Sequence, residues 1–300
     1  MGAMSPGPWV QSGRVFSAEE IAAIRATVAW LPGLARQELA ATLCEHLDWY
    51  TPTGTPKLDA CGKLLGRLEV AGLLELPAVR PAGRPRRVPP AAAPEEAAET
   101  PLCTPLAALG AVHLEVVQTP EAVVQWDAAV ARWHPLGFKG AFGYRLRYFI
   151  SAGEQRLGCV LLAGAARALM VRDQWIGWDA QARREQRVRV LNNSRFLIFP
   201  HVRIPHLASH VLGQLARRAR ADWLDHWGFE PLLLETFVDP RHYAGTCYRA
   251  AGWQLLGATS GRGLARPGQS YQSTPRQVWV RPLTSDCRAS LCAAPGNPRS

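Results

Sequence analysis

The sequence predicts an α/β protein, of the α+β kind, with a small helical N-terminal domain and a larger C-terminal domain on a mixed sheet. Three observations predict it. Apolar residues recur at helical spacing before residue 72, as Leu39, Leu43 and Leu47 do. Beyond residue 102, short β-branched and leucine-rich runs alternate with helical patterns. Between the two lies the segment 80–101, Arg/Pro-rich and then Ala/Pro/Glu-rich, in which no apolar period survives. The expected boundaries are a loose N-terminus over 1–14, a helical domain over 15–79, a linker over 80–101, a sheet domain over 102–283 and a disordered tail over 284–300.

The elements follow in order. Ser17 with Glu19 and Glu20 starts a helix, a hydroxyl cap followed by acids near the positive end of the macrodipole. Pro32 and Gly33 stop it. A second helix covers about 35–48. A third covers about 57–71, with Leu58, Cys61, Leu65 and Leu68 on one stripe. Residues 72–77 then read as a short strand, so the N-terminal domain looks like a winged helix-turn-helix. Lys57, Lys63 and Arg67 lie at the entrance and on the outer face of the third helix. A recognition helix presents cations to nucleic acid in this way, although a solvated face has the same pattern.

In the C-terminal domain, Val112, Leu114 and Val116 alternate as a strand, and Thr119-Pro120 opens a helix with proline at its first position. Residues 144–150 and 157–163 form a hairpin. A strand over 195–199, a long helix over 207–227, a strand over 232–238, a short helix after Gly245 and strands over 254–257 and 277–282 complete it.

Composition sets the class of partner. Among 300 residues, 34 Lys+Arg face 24 Asp+Glu, a net charge of +10 carried almost wholly by arginine. That balance favours nucleic acid, with DNA the leading expectation, and suits planar contact with phosphate. Arg262 and Arg266 add a basic, glycine-containing loop. Seven scattered cysteines without a C-x-x-C pair suggest a reduced, cytoplasmic chain. The longest apolar run, near 159–166, is far short of the roughly 20 residues of a membrane span.

Chemistry concentrates late in the chain. Glu235 and Asp239 interrupt an apolar strand, and a buried carboxylate needs a partner, a metal or a cleft. Four apart on a strand, they leave the same face about 13 Å from each other. Asp173 sits among Trp175 and Trp178, which suggests a cleft rim. With Glu235 and Asp239 it makes a candidate Mg2+ set for phosphodiester cleavage, since hard oxygens suit that ion. Asn193 and Arg195 flank a strand start, where Arg195 could pair with an acid or hold a phosphate. Thr246, Cys247, Tyr248 and Arg249 follow Gly245. In an acyl-transfer reading Glu235 is the general base and Tyr248 the general acid. His201, His206 and His210 lack the intervening glutamate of a metalloprotease and are not read as a zinc site.

The order of hairpin, strand, long helix, strand, short helix with Tyr248-x-x-x-Gly252-Trp253 and final strand resembles the Gcn5-related N-acetyltransferase architecture. There a splayed strand pair admits acyl-CoA. The glycine-rich phosphate loop of that fold is replaced by 201–209, with Pro205 in it, which counts against acetyl-CoA; the cofactor stays open between Mg2+ and acetyl-CoA.

Five motifs in order, Arg172-Asp173-x-Trp175-Ile176-Gly177-Trp178, Asn192-Asn193-x-Arg195-Phe196-Leu197-Ile198, Leu207-Ala208-Ser209, Glu235-Thr236-Phe237-Val238-Asp239 and Gly245-Thr246-Cys247-Tyr248-Arg249-Ala250-Ala251, resemble the DruA family, named for a subunit of the Druantia anti-phage system. Similar proteins accompany mobile elements. Pro135, after His134, departs from the aromatic that the resemblance implies. The resemblance implies phage defence or mobile-DNA biology, with defence or transposition proteins as partners. Three functions stay open: a DNA-directed metal-dependent nuclease, an N-acyltransferase, and a non-catalytic DNA-binding assembly subunit.

Overall fold

The computed structural model describes residues 8–52, 55–78, 100–138, 143–166, 169–261 and 274–293, and its contacts divide the chain into two compact units. The first comprises 1–86 with 141–144; the second comprises 87–140 with 145–300.

The first unit opens with an antiparallel hairpin, β1 (Trp9–Gln11) and β2 (Arg14–Phe16), where a loose segment was expected. Strands of three residues are too short for a period-2 pattern to show in sequence. Helix α1 (Ala18–Trp30) starts as expected: the Ser17 hydroxyl accepts from the Glu20 N–H, and the Glu20 carboxylate accepts from the Ser17 N–H. Helices α2 (Arg36–His46) and α3 (Leu58–Val70) follow; Leu39 and Leu43 of the first and Leu64, Leu65 and Leu68 of the second are buried, as are Phe16, Ile24 and Trp49. The strand expected over 72–77 is not formed; Gly72 lies in a turn, Leu73 in a bend, and 74–77 carry no regular structure. The linker at 80–101 lies almost entirely outside the described residues.

The second unit is built on a seven-stranded mixed sheet in the order β3-β4-β5-β6-β7-β9-β8. Its strands are β3 (Val112–Val116), β4 (Arg145–Ala152), β5 (Gln155–Gly164), β6 (Val190–Ile198), β7 (Leu233–Val238), β8 (Gln254–Ala258) and β9 (Gln277–Pro282). β3 to β6 form an antiparallel meander, whereas β6 and β7 run parallel. The crossover between them is α7 (Leu207–Trp227), whose Leu207, Val211, Leu215, Ala219 and Trp223 are buried at helical spacing. Helix α4 (Pro120–Trp133) carries the expected Thr119 cap, and α8 (Thr246–Ala250) precedes β8.

Three short helices escaped the sequence pattern: α5 (Met170–Ile176), α6 (Ala180–Gln186) and α9 (Cys287–Cys292). Two turns are too few for amphipathic periodicity to register. Helix α9 stands where a disordered tail was expected; its buried Cys287 and Leu291 pack with Ile176, Val190, Leu233 and Val280. The strand order and the parallel pair at its centre are those of the acetyltransferase-like body expected from the element order.

Candidate functional site

β6 and β7 join through three parallel residue pairs, Val190 with Leu233, Leu191 with Leu234 and Asn192 with Glu235. Beyond the last pair the two strands part. β6 also carries a bulge: its register with β5 shifts so that Asn193 pairs with Leu162 and Arg195 with Leu161, leaving Ser194 extra. Bulges re-aim side chains and end pairing.

At the point of divergence three side chains meet. Asn193, 3% exposed, places Nδ2 3.4 Å from the Tyr248 hydroxyl. The Thr236 hydroxyl donates to the Asn193 carbonyl at 2.9 Å and also bonds the phenol. Burial, the largest influence, raises the Tyr248 pKa, so the phenol keeps its proton at neutral pH. Phe196 and Trp253 meet the ring edge-on at 6.1 and 5.1 Å. Asn193 Oδ1 is buried without a hydrogen-bond partner among the described residues. Gly245, in the left-handed region at φ 71°, begins α8 so close to Trp279 that a Cβ there would lie 2.6 Å from the indole.

Glu235 is not part of this cluster. Alternation along β7 puts Thr236 on the α8 face and Glu235 on the opposite one. There Glu235 is fully buried, with Oε2 2.9 Å from Arg172 Nη1 and Oε1 accepting from the Ala166 N–H at 3.0 Å. Arg172 also binds Asp173, at 2.8 Å. Burial alone would lower the Arg172 pKa, but the two carboxylates outweigh it and hold it above its usual value. Asp239 is taken by Arg241 at 2.6 Å, and that guanidinium holds its carboxyl well below the usual range.

These placements correct the metal expectation. Asp173 and Glu235 are bridged by an arginine, Asp239 is paired elsewhere, and no group of three possible metal ligands gathers among the described residues. An arginine between two carboxylates supplies the charge a metal would. Glu235 as general base beside Tyr248 is corrected too, because the two lie on opposite faces of the sheet. Asp173 is a buried-network member of α5 rather than a cleft rim.

The other expected residues spread out. Thr246 is exposed at the start of α8. Burial pushes the Cys247 thiol up, as for a packed rather than a reactive thiol. Arg195 is held away from the acids by the Gly137 carbonyl at 3.2 Å. In the first unit, Lys63 pairs with Asp59 at 2.8 Å, and Arg67 donates to the Val10 carbonyl at 2.6 Å over the Trp9 ring. Lys57 precedes α3 without a side-chain cap bond. Arg262 and Arg266 lie outside the described residues. Sequence reasoning missed Arg172 and Thr236; the Arg172-Asp173 pair beside apolar residues was the available signal for the first.

The family model described as Druantia protein DruA matches residues 107–270, more than half of the chain. The chain belongs to the DruA family. The match contains the β6–β7 divergence, Tyr248 and the Arg172–Glu235 pair. No curated protein matches this DruA-family chain. Among solved structures it is similar to an N-acetyltransferase from Staphylococcus aureus Mu50, at 10% identity over 58% of this chain and 99% of that one, with a TM-score of 0.35. It is also similar to the aminoglycoside acetyltransferase AAC(6')-Ib solved with coenzyme A and kanamycin, at 14% identity over 60% and 98%, with a TM-score of 0.37. The strand order of the chain itself, not these likenesses, carries the fold reading.

Proposed function

We propose that this DruA-family chain is an acyl-thioester-dependent N-acyltransferase that serves phage defence or mobile-DNA biology at nucleic acid. The observation that carries the reading is the parting of β6 and β7 after Asn192 and Glu235, with Asn193, Thr236 and Tyr248 converging in the gap. A bound acyl thioester would supply the activated acyl group. The gap suits its amide-bearing arm: Asn193 Oδ1, buried and unpartnered, is an acceptor waiting for an N–H. Tyr248, kept protonated by burial, holds a proton for a leaving thiolate.

The phosphate end fits less well. The loop before α7 has no glycine between Pro200 and Leu207, and it is pinned by Val202 donating to the Phe199 carbonyl and Arg203 to the Leu102 carbonyl. The net charge of +10 supports a polyanionic partner, DNA in the first instance. No described helix is long and apolar enough to cross a membrane. The nuclease reading has no support in the arrangement of the acids. A second reading, an assembly subunit that docks DNA without catalysis, draws on the closed ion pairs of Glu235 and Asp239.

Thermal unfolding with acetyl-CoA separates the two. Binding to the native state at about 100 times Kd adds ~2.7 kcal/mol and raises the melting temperature. Y248F should keep that shift while slowing acyl transfer roughly 100-fold or more. Absence of any shift at millimolar acetyl-CoA would leave the assembly-subunit reading.

A further inference from the structure

Arg195 and Arg276 are two half-buried guanidinium groups of the second unit that have no carboxylate partner among the described residues. Arg195 stands just past the β6 bulge, with Nε 3.2 Å from the Gly137 carbonyl and Nη1 2.7 Å from the Ser194 carbonyl. Two backbone carbonyls fix the fork and leave Nη2 without a hydrogen bond among the described residues. Arg276 immediately precedes β9, and its backbone is fixed by Thr259 on both sides: its N–H donates to the Thr259 hydroxyl at 3.0 Å, and its carbonyl accepts from the Thr259 N–H at 2.8 Å.

Arg195 lies beyond the last β6–β7 pair, Asn192 with Glu235, and Arg276 adjoins Gln277, which pairs with Val238 at the end of β7, so the two flank the end of that strand. The pKa of Arg195 lies below its usual value, through burial first and then through the Arg276 charge. Among the described residues no acid pairs with either of them. Asp239, one residue past the last β7–β9 pair, is occupied by Arg241. The sequence contains no Asp or Glu from 134 to 145 or from 240 to 285. Like charges withdrawn from water without a counter-charge are unfavourable, so the arrangement calls for an anion.

His134 supplies a third donor. Its Nδ1 accepts from the Leu136 N–H at 3.2 Å, which places the ring proton on Nε2. Burial and the Arg195 charge push its pKa down to about 4, so it is an uncharged donor at neutral pH. The turn it begins, closed by Gly137 N–H donating to the His134 carbonyl at 2.7 Å, is the turn that holds Arg195.

We infer that Arg195 and Arg276, with His134, receive a phosphomonoester beside the end of β7 where β6 and β7 have parted. Two guanidinium forks match the oxygens of a phosphoryl group, and two positive charges match a dianion better than a carboxylate. The ligand is a nucleotide or the phosphorylated end of a nucleic acid. The inference holds whether or not the gap transfers acyl groups.

Calorimetric titration of the full-length protein with inorganic phosphate at constant ionic strength tests it. Saturable binding is expected, weakened at least tenfold in R276Q and in R195K and unchanged in R132Q. Arg276 is fixed through its backbone, with no side-chain hydrogen bond or ion pair among the described residues, and R195K keeps the charge while removing the fork. A 5′-phosphorylated oligothymidylate should bind more tightly than its 5′-hydroxyl twin. If adenosine 5′-monophosphate matches the phosphorylated oligonucleotide, the source is a nucleotide; if it binds more weakly, the source is a nucleic-acid end. Failure of phosphate to bind, binding unchanged in R276Q, or equal binding of the two oligonucleotides would overturn the assignment.

Discussion

Glu235 is the residue whose sequence context spoke loudest and whose role the structure changed most. A carboxylate between leucines must be compensated, and that much follows from its neighbours alone. The compensating group, Arg172, stands 63 positions away and is itself fully buried. Nothing in local pattern pairs residues over that distance. The pair shares its hydrogen bonds with Ala166 and Asp173, so it fastens the segment before α5 to β7. Removing one partner of a buried pair leaves the other charge uncompensated, at about 3–5 kcal/mol. E235Q should therefore lower unfolding stability by about 3 kcal/mol, the low end because Asp173 still holds Arg172; urea unfolding measures it. A metal ligand or exposed general base would behave otherwise, with activity lost and the urea midpoint little changed.

At the scale of elements, legibility followed length. α1 and α4 were read from their starting residues and an apolar stripe, and α7 from its stripe alone, because three or more turns repeat the period often enough to show. The β1–β2 hairpin, α5, α6 and α9 were not read, since three to seven residues hold fewer than two periods. The β6–β7 divergence was legible in outline, as the strand pair flanking a long crossover helix. Its position was not: it depends on where pairing stops, and on the bulge at Ser194. β5 contributes a glycine for a specific reason. A Cβ on Gly158 would lie 2.1 Å from the Leu197 carbonyl oxygen on β6, and backbone cannot rotate away as a side chain can. G158A should cost at least ~2 kcal/mol by overpacking and be visible as a lower thermal midpoint. A neutral outcome would mean that β5 and β6 are farther apart than described.

For the molecule as a whole, charge is the property that composition gives directly. A chain of +10 in which arginine dominates should associate with duplex or single-stranded nucleic acid through its phosphates. With about six phosphate contacts, affinity should fall roughly a thousandfold between 50 and 200 mM salt. Fluorescence anisotropy across that range measures the slope, and a flat response would remove nucleic acid as the partner. The expected recognition cations do not all remain free for that role. Arg67 is bound to the β1–β2 hairpin and Lys63 to Asp59, so the contribution of α3 should be smaller than its sequence suggests.

What the sequence by itself determined was the class of the fold, the family, and the position of polar residues in an apolar strand, because these depend on neighbours and on motif order. Tertiary structure decided which of those residues share a site. Alternation sends Glu235 and Thr236 to opposite faces of β7, and the partners on each face come from α5 and α8, elements distant in the chain. A strand pattern records that a side chain is buried, but the group it is buried against is set by packing alone.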